Sequence, residues 1–137
     1  MSTLARQYIL GLREAVKGAG AKTEDSPIRA HTASDTSLVS IQPGAERVVP
    51  EAAFNRVTRQ REIQVMVHTS GRDHLEACEY LFELIHPVIM GYTEDSIIQV
   101  DELRTVEPKY ADGDLTRQVV AKIYLITYQT EDDSLSH

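Results

Sequence analysis

Apolar positions recur along this chain in two rhythms: every second residue over two long stretches, and every third or fourth over two others. The alternating rhythm is clearest in Leu115–Thr130, where Val119, Ala121, Ile123, Leu125 and Thr127 fall on one side. Gln118, Val120, Lys122, Tyr124, Ile126 and Tyr128 fall on the other. Successive side chains of a strand point to opposite faces of a sheet, so the pattern predicts an inner strand whose wholly apolar side is the buried one. A second alternating run spans 55–69. Val57, Arg59, Arg61, Ile63, Val65 and Val67 face one way, and Thr58, Gln60, Glu62, Gln64, Met66 and His68 the other. The arginines gathered at one end predict that this strand leaves the core there. Helical spacing of Leu4, Tyr8, Leu12 and Val16, widened by Ala5 and Ile9, predicts a helix over 3–17. Ser2 or Thr3 caps it and Gly18 and Gly20 stop it. Leu75, Cys78, Leu81, Phe82, Ile85 and Ile89 predict a second helix, from a cap at Asp73 to about Met90. Glu76, Glu79 and Glu83 mark its wet side, Pro87 kinks or shortens its last turn, and Gly91 ends it.

Between these stretches the punctuation fixes the remaining elements. Leu38, Val39 and Ile41 read as a short strand, Pro43-Gly44 as a turn, and Glu46–Val49 as a returning strand that Pro50 interrupts. Ile97–Val106 reads as a further strand. The segment K-Y-A-D-G-D then turns the chain, with Asp112-Gly113 as the strongest short hairpin signal. Residues 21–36 follow neither period and predict a long, loose polar loop, and 131–137 predict a flexible charged tail. The expected order is α-β-β-β-α-β-β in a single domain spanning 1–137. Its class is α+β, a mostly antiparallel or mixed sheet with two helices packed on one face.

Composition narrows the possible roles. The 137 residues are 42% hydrophobic, enough for a sizeable core. No apolar run approaches the roughly 20 residues that span a bilayer, and no secretory signal is expected. The single cysteine, Cys78, excludes an internal disulfide and lies on the apolar side of the second helix, where a buried, inert thiol is expected. The net charge of −7 is unevenly spread: residues 1–62 carry 9 Lys/Arg against 7 Asp/Glu, and residues 63–137 carry 5 against 14. An acidic chain is a poor general ligand for nucleic acid. Uneven charge can instead favour head-to-tail contact between copies, the basic part of one meeting the acidic part of the next.

No catalytic constellation emerges. His68, Asp73 and His74 cluster at a strand-to-helix turn, but their spacing matches no metal-ligand pattern, and they read as surface groups. His86, before Pro87, reads as a helix-end cation. There is no phosphate-cradling glycine loop and no nucleophile elbow. The acidic pairs Glu94-Asp95, Asp101-Glu102 and Asp112 with Asp114 fall at turns and strand edges, where solvated turn residues are the expectation. Arg56, Arg59 and Arg61, beside Phe54, suit the rim of a protein contact better than a nucleic-acid site. No enzyme activity, cofactor or metal is expected. The best candidate contacts between subunits, or with a tube, are Arg56, Arg59 and Arg61 on one side and Glu94, Asp95, Asp101 and Glu102 on the other.

The arrangement resembles a known family. A capped N-terminal helix leads through a polar loop to S-L-V-S-I-Q-P-G-A-E-R-V. There follow R-Q-R-E-I-Q-V-M-V-H, the acidic helix E-A-C-E-Y-L-F-E-L-I-H-P-V-I and the closing strand V-A-K-I-Y-L-I-T-Y-Q-T. In order and length these are similar to the tail terminator proteins of long-tailed phages, the lambda-type minor tail protein U. The segments I-H-P-V-I-M and I-T-Y-Q-T carry most of the likeness, which covers about 37–130. The resemblance implies a homo-oligomer, a hexameric ring on the end of the tail tube that halts tube polymerisation and offers its other face to a head-to-tail joining protein. It further implies a location in the virion tail, with host cytoplasm during assembly, DNA passing through the lumen without specific binding, no membrane and no catalytic residues. The alternatives are another phage neck or head-completion ring, a protein of a contractile secretion system or prophage remnant, and a small oligomeric enzyme with its pocket between subunits.

Overall fold

The computed structural model describes residues 3–23, 37–49, 56–111, 114–131 and 133–137. Helix α1 spans Leu4–Gly18 and helix α2 His74–Met90. The strands are β1 (Ser37–Val49), β2 (Arg56–Ser70), β3 (Ile97–Thr105), β4 (Lys109–Ala111) and β5 (Asp114–Glu131). They form one antiparallel sheet in the order β1-β2-β5-β3, with β4 also paired to β5. The class is α+β with both helices on one face, as the hydrophobic pattern predicts.

Thr3 caps α1, its hydroxyl accepting the Arg6 amide at 3.2 Å. The helix lays Ala5, Tyr8, Ile9, Leu12 and Val16 into the core, and buried Arg13 ties it to the sheet by donating to the Ile41 carbonyl at 2.8 Å. Gly11 is required by a close approach. A Cβ there would stand 1.9 Å from the Tyr92 hydroxyl. Helix α2 runs through Pro87 to Met90, so the proline does not shorten it. Its buried residues are Cys78, Leu81, Phe82, Ile85 and Ile89, as the spacing predicts. The tail folds back, the Leu135 carbonyl accepting the Leu4 amide at 2.9 Å.

The strand order differs from the sequence expectation in one respect: two strands precede α2 and three follow it. Pro43-Gly44 is not a turn. It lies within continuous β1, where the register against β2 shifts between Pro43 and Glu46. A bulge tolerates the missing proline N–H, and a Cβ at Gly44 would come 2.9 Å from the Glu62 Cβ, so a glycine fits where β1 presses on β2. The additional strand after α2 is β4, part of the segment expected to turn. Its Ala111 pairs with Asp114, and the expected Asp112-Gly113 turn itself lies outside the described residues. So do Ser2, Pro50, Phe54 and most of the loop expected at 21–36. Of that loop's start, Ala21 is buried and the Lys22 carbonyl accepts the Val39 amide at 2.8 Å.

The buried face of β5 is the opposite of the one expected. Val120, Tyr124, Ile126 and Tyr128 join the core shared with Val39, Ile41, Ile63, Val65 and Val67 and with both helices. Val119, Ala121, Leu125 and Thr127 on the wholly apolar side are only half-buried, although Ile123 is 2% exposed. The tyrosine rings supply more buried apolar area than the alanine, valine and threonine of the other face. Their hydroxyls find polar partners, which makes the mixed face the better inner one.

Candidate functional site

Two places hold polar groups that the packing of the core does not need. The first is the end of the sheet where β1 and β2 carry the pairs Glu46–Arg61, Val48–Arg59 and Val49–Thr58. On the helix side of this end, Arg59 lies in register between Val48 and Tyr128. Its Nε donates to the Thr130 hydroxyl at 3.0 Å. Tyr128 donates to the Glu46 carboxylate. Burial, that bond and the charge of Glu46 push the Tyr128 hydroxyl far above its usual range. Tyr8 of α1 meets Tyr128 edge-on, with ring centroids 5.2 Å apart, and marks where helix cover stops. Beyond it, Val48 is 55% exposed. Arg56, at the start of β2, reaches the Gln129 carbonyl at 3.4 Å.

The second place is a cleft of about 400 Å³ between α2 and the β3–β5 edge, lined by Glu79, Phe82, Glu83, His86, Glu102 and Lys122. Lys122 points to the helix side with its ammonium 5.4 Å from the Phe82 ring centroid. It donates to Glu102 at 2.8 Å and to the Thr105 hydroxyl at 2.9 Å. This bond to Lys122 holds the Glu102 carboxyl below the usual carboxylate range. His86 Nδ1 lies 2.7 Å from the Tyr124 hydroxyl and Nε2 lies 3.8 Å from Glu102. A neutral imidazole that accepts from Tyr124 and turns its Nε2–H toward Glu102 satisfies both contacts. Burial and the charge of Glu102 raise the Tyr124 hydroxyl well above its ordinary value. This hydroxyl is therefore a poor acid near neutrality, and the cleft presents charge and hydrogen bonds rather than a nucleophile.

The seven sequence-chosen contact residues divide between these regions. Arg56, Arg59 and Arg61 share the β2 end. Glu94 and Asp95 lie in the segment before β3, beside the same end of β5, because the Gln129 amide donates to the Ser96 carbonyl at 3.2 Å. Asp101 and Glu102 stand opposite Leu125 and Tyr124, nearer the middle of the sheet. Strand β5 separates the arginines from the acids, and among the described residues no ion pair joins the two sets. Several are already engaged: Tyr92 donates to Glu94 at 3.0 Å, and Gln99 donates to both Asp101 oxygens at 2.6 and 2.7 Å. No trio of His, Cys, Asp or Glu among the described residues is placed to hold a metal ion. Cys78 is buried, and desolvation pushes its thiol up to about 11, which makes it inert near neutrality. No helix among the described residues is long and apolar enough to cross a membrane.

Sequence reasoning missed the His86–Tyr124 contact. The two residues are 38 apart, and only the antiparallel sheet brings them together. The alternation did place Lys122 on the same side as Tyr124, which was the one available signal.

No protein-family model matches the chain, and no curated protein matches it. Among solved structures, it is similar to a chain of a structure described as "Virion of native gene transfer agent (GTA) particle". The TM-score is 0.58 at 12% identity, over 85% of this chain and 83% of that one. At that identity the likeness is one of fold, and it spans nearly the whole of both chains.

Proposed function

We propose that this chain is a structural subunit of a virion, and more specifically a tail-terminator-type protein that forms a ring on the end of a tail tube. The observation that carries the reading is the fold. A virion chain shares it over 85% of the length, and the sequence independently resembles phage tail terminators over residues 37–130. Three properties of the molecule support the same reading. The described polar clusters, Lys122 with Glu102 and Tyr128 with Glu46, present paired charge and hydrogen bonds that a partner surface can engage. The β1–β2 end projects past the helices and exposes Val48 beside arginines. The uneven charge along the chain suits a heterologous contact, the kind that closes into a ring.

In this reading copies of the chain assemble around the tube end, and its partners are the chain itself, the tail tube protein and a head-to-tail joining protein. Arg56, Arg59 and Arg61 would serve one contact and Glu94, Asp95, Asp101 and Glu102 another. DNA would pass through the ring without being held, in keeping with an overall charge of −7. The protein would reside in the virion tail and reach it from the host cytoplasm.

The test is to add purified protein to tail tubes and follow tube length and end occupancy by electron microscopy, with native mass measured in parallel. Rings seated on tube ends, with elongation halted, support the terminator reading. Binding to connector rings, with tube elongation unaffected, would instead assign the chain to the neck. A chain that stays monomeric and touches neither would overturn both.

A further inference from the structure

The exposed side of α2 is unlike a merely solvated helix face. Glu76, Glu79 and Glu83 share it with Tyr80, which is 64% exposed, and Leu75, which is 58% exposed. Glu76 and Glu79 are three residues apart and Glu79 and Glu83 four, so like charges line the helix at a spacing that weakens it. Among the described residues no cation pairs with these three glutamates. The nearest described lysine of the cleft, Lys122, is committed to Glu102 and Thr105. The face therefore offers negative charge with two large apolar side chains set into it, and the one lysine beside it is already paired with Glu102.

The complementary surface is on the same molecule, and among the described residues no ion pair joins the two. At the β1–β2 end, Val48 is 55% exposed between half-buried Arg59 and Arg61, on the side where helix cover stops. Glu46, in register with Arg61, is occupied by Tyr128. Lys122, which lines the cleft with Glu79 and Glu83, is in register with Val65, four residues along β2 from Arg61 and six from Arg59. At about 3.3 Å per residue the two surfaces are on the order of 13 to 20 Å apart along the sheet, and among the described residues no ion pair joins them.

We propose that a second copy of this chain docks head-to-tail, its Val48–Arg59–Arg61 patch seated on the first copy's Glu79–Tyr80–Glu83 face. Tyr80 and Leu75 then cover Val48, and the two arginines relieve the repulsion among the glutamates. Because the two surfaces differ, each copy can accept one neighbour and donate to another, the geometry of a ring or a filament. The inference rests on the self-assembly part of the reading above, and it replaces the β3-edge acids with α2 as the partner of the arginines.

Assembly is measured by native mass over a concentration series, for wild type and for Glu79→Lys/Glu83→Lys, with helicity checked by circular dichroism. The lysine variant is expected to need roughly tenfold higher concentration to assemble. Arg59→Glu/Arg61→Glu should show a similar loss, and the chain carrying all four reversals should recover. Arginine replacement also disturbs the Thr130 contact, so a second measurement removes that ambiguity. A Val48→Cys/Tyr80→Cys chain, oxidised under assembling conditions, should give a ladder of disulfide-linked multimers, with buried Cys78 taking no part. Wild type that assembles, with neither loss on glutamate reversal nor a ladder, overturns this surface while leaving the ring reading in place. Wild type that never assembles, with or without tube ends, overturns both.

Discussion

The middle of the sheet and its β1–β2 end are built from the same two strands, yet they are made to do different things. In the middle, Val39 faces Val67, Ile41 faces Val65, and α1 and α2 close over both pairs. At the end, Val48 faces Arg59 and Glu46 faces Arg61, and no described helix covers them. The backbone pairing is continuous across the boundary, interrupted only by the bulge at Pro43-Gly44. What changes is the side-chain chemistry on the helix side: aliphatic where helices lie, basic and partly wet where they stop. The middle holds the fold together, and the end leaves Val48 exposed beside the arginines.

Truncation should separate the two most sharply. Ile85 is fully buried, and Ile85→Ala should cost about 2–5 kcal/mol by losing transfer energy and leaving a cavity. Val48→Ala should change stability by less than about 0.5 kcal/mol, since the side chain is already more than half in water. Urea melts of the two variants measure this directly. Comparable losses would mean that the end is part of the core after all.

Much of this division is legible in the sequence, and the misses have physical causes. The strict alternation of β2 gives its two faces correctly, because aliphatic and arginine positions share one side and glutamines the other. The same period cannot choose the inner face of β5. Ranking Lys122, Tyr124 and Tyr128 as polar ignores the apolar bodies of those side chains, which is what the core takes up. Pro43-Gly44 reads as a turn since those residues favour one locally, and only pairing with β2 makes it a bulge. Strand β4 is three residues long and too short for a period. The cleft under α2 left almost no trace, as its members come from a helix, an edge strand and an inner strand.

A second contrast appears at high pH. Tyr124 in the middle and Tyr128 at the margin of the β1–β2 end are both buried, and both hydroxyls are raised above their ordinary value of 10.0. The unfolded chain ionises these groups above that pH while the folded chain keeps them neutral. Their contribution to stability is therefore complete below pH 10 and is lost as pH rises further, at about 1.4 kcal/mol per pH unit for each tyrosine. Thermal melts should fall steeply above pH 10, and Tyr124→Phe should flatten that fall. An unchanged slope in the variant would show that Tyr124 is not the group responsible.

Gly11→Ala tests whether the α1 side of the middle is as tightly closed as the strands. The added methyl must move Tyr92, whose hydroxyl it would meet at 1.9 Å, and break the bond to Glu94. Losing the bond to the Glu94 carboxylate and shifting Tyr92 cost about 2 kcal/mol and alanine recovers about 1 kcal/mol of helix propensity, so a net loss of roughly 1 kcal/mol is expected. A more stable variant would show that Tyr92 swings aside freely.

The smallest effect is expected at the cleft, which lies between the two regimes. Lys122 holds its ammonium 5.4 Å from the Phe82 ring centroid and pairs with Glu102, whose side chain is 38% exposed. Lys122→Met keeps the apolar packing and removes the charge, so solvent screening limits the loss to less than about 1 kcal/mol near neutrality. The sign with pH follows from Glu102. Its carboxyl is held below the ordinary 4.5, so the stability it gives is present above that pH and is lost as the pH falls through the folded value. Wild type and Lys122→Met should therefore differ near pH 7 and converge in acid. A difference that persists at low pH would assign the lysine's value to packing on Phe82 rather than to charge, and the cleft would then belong with the middle of the sheet.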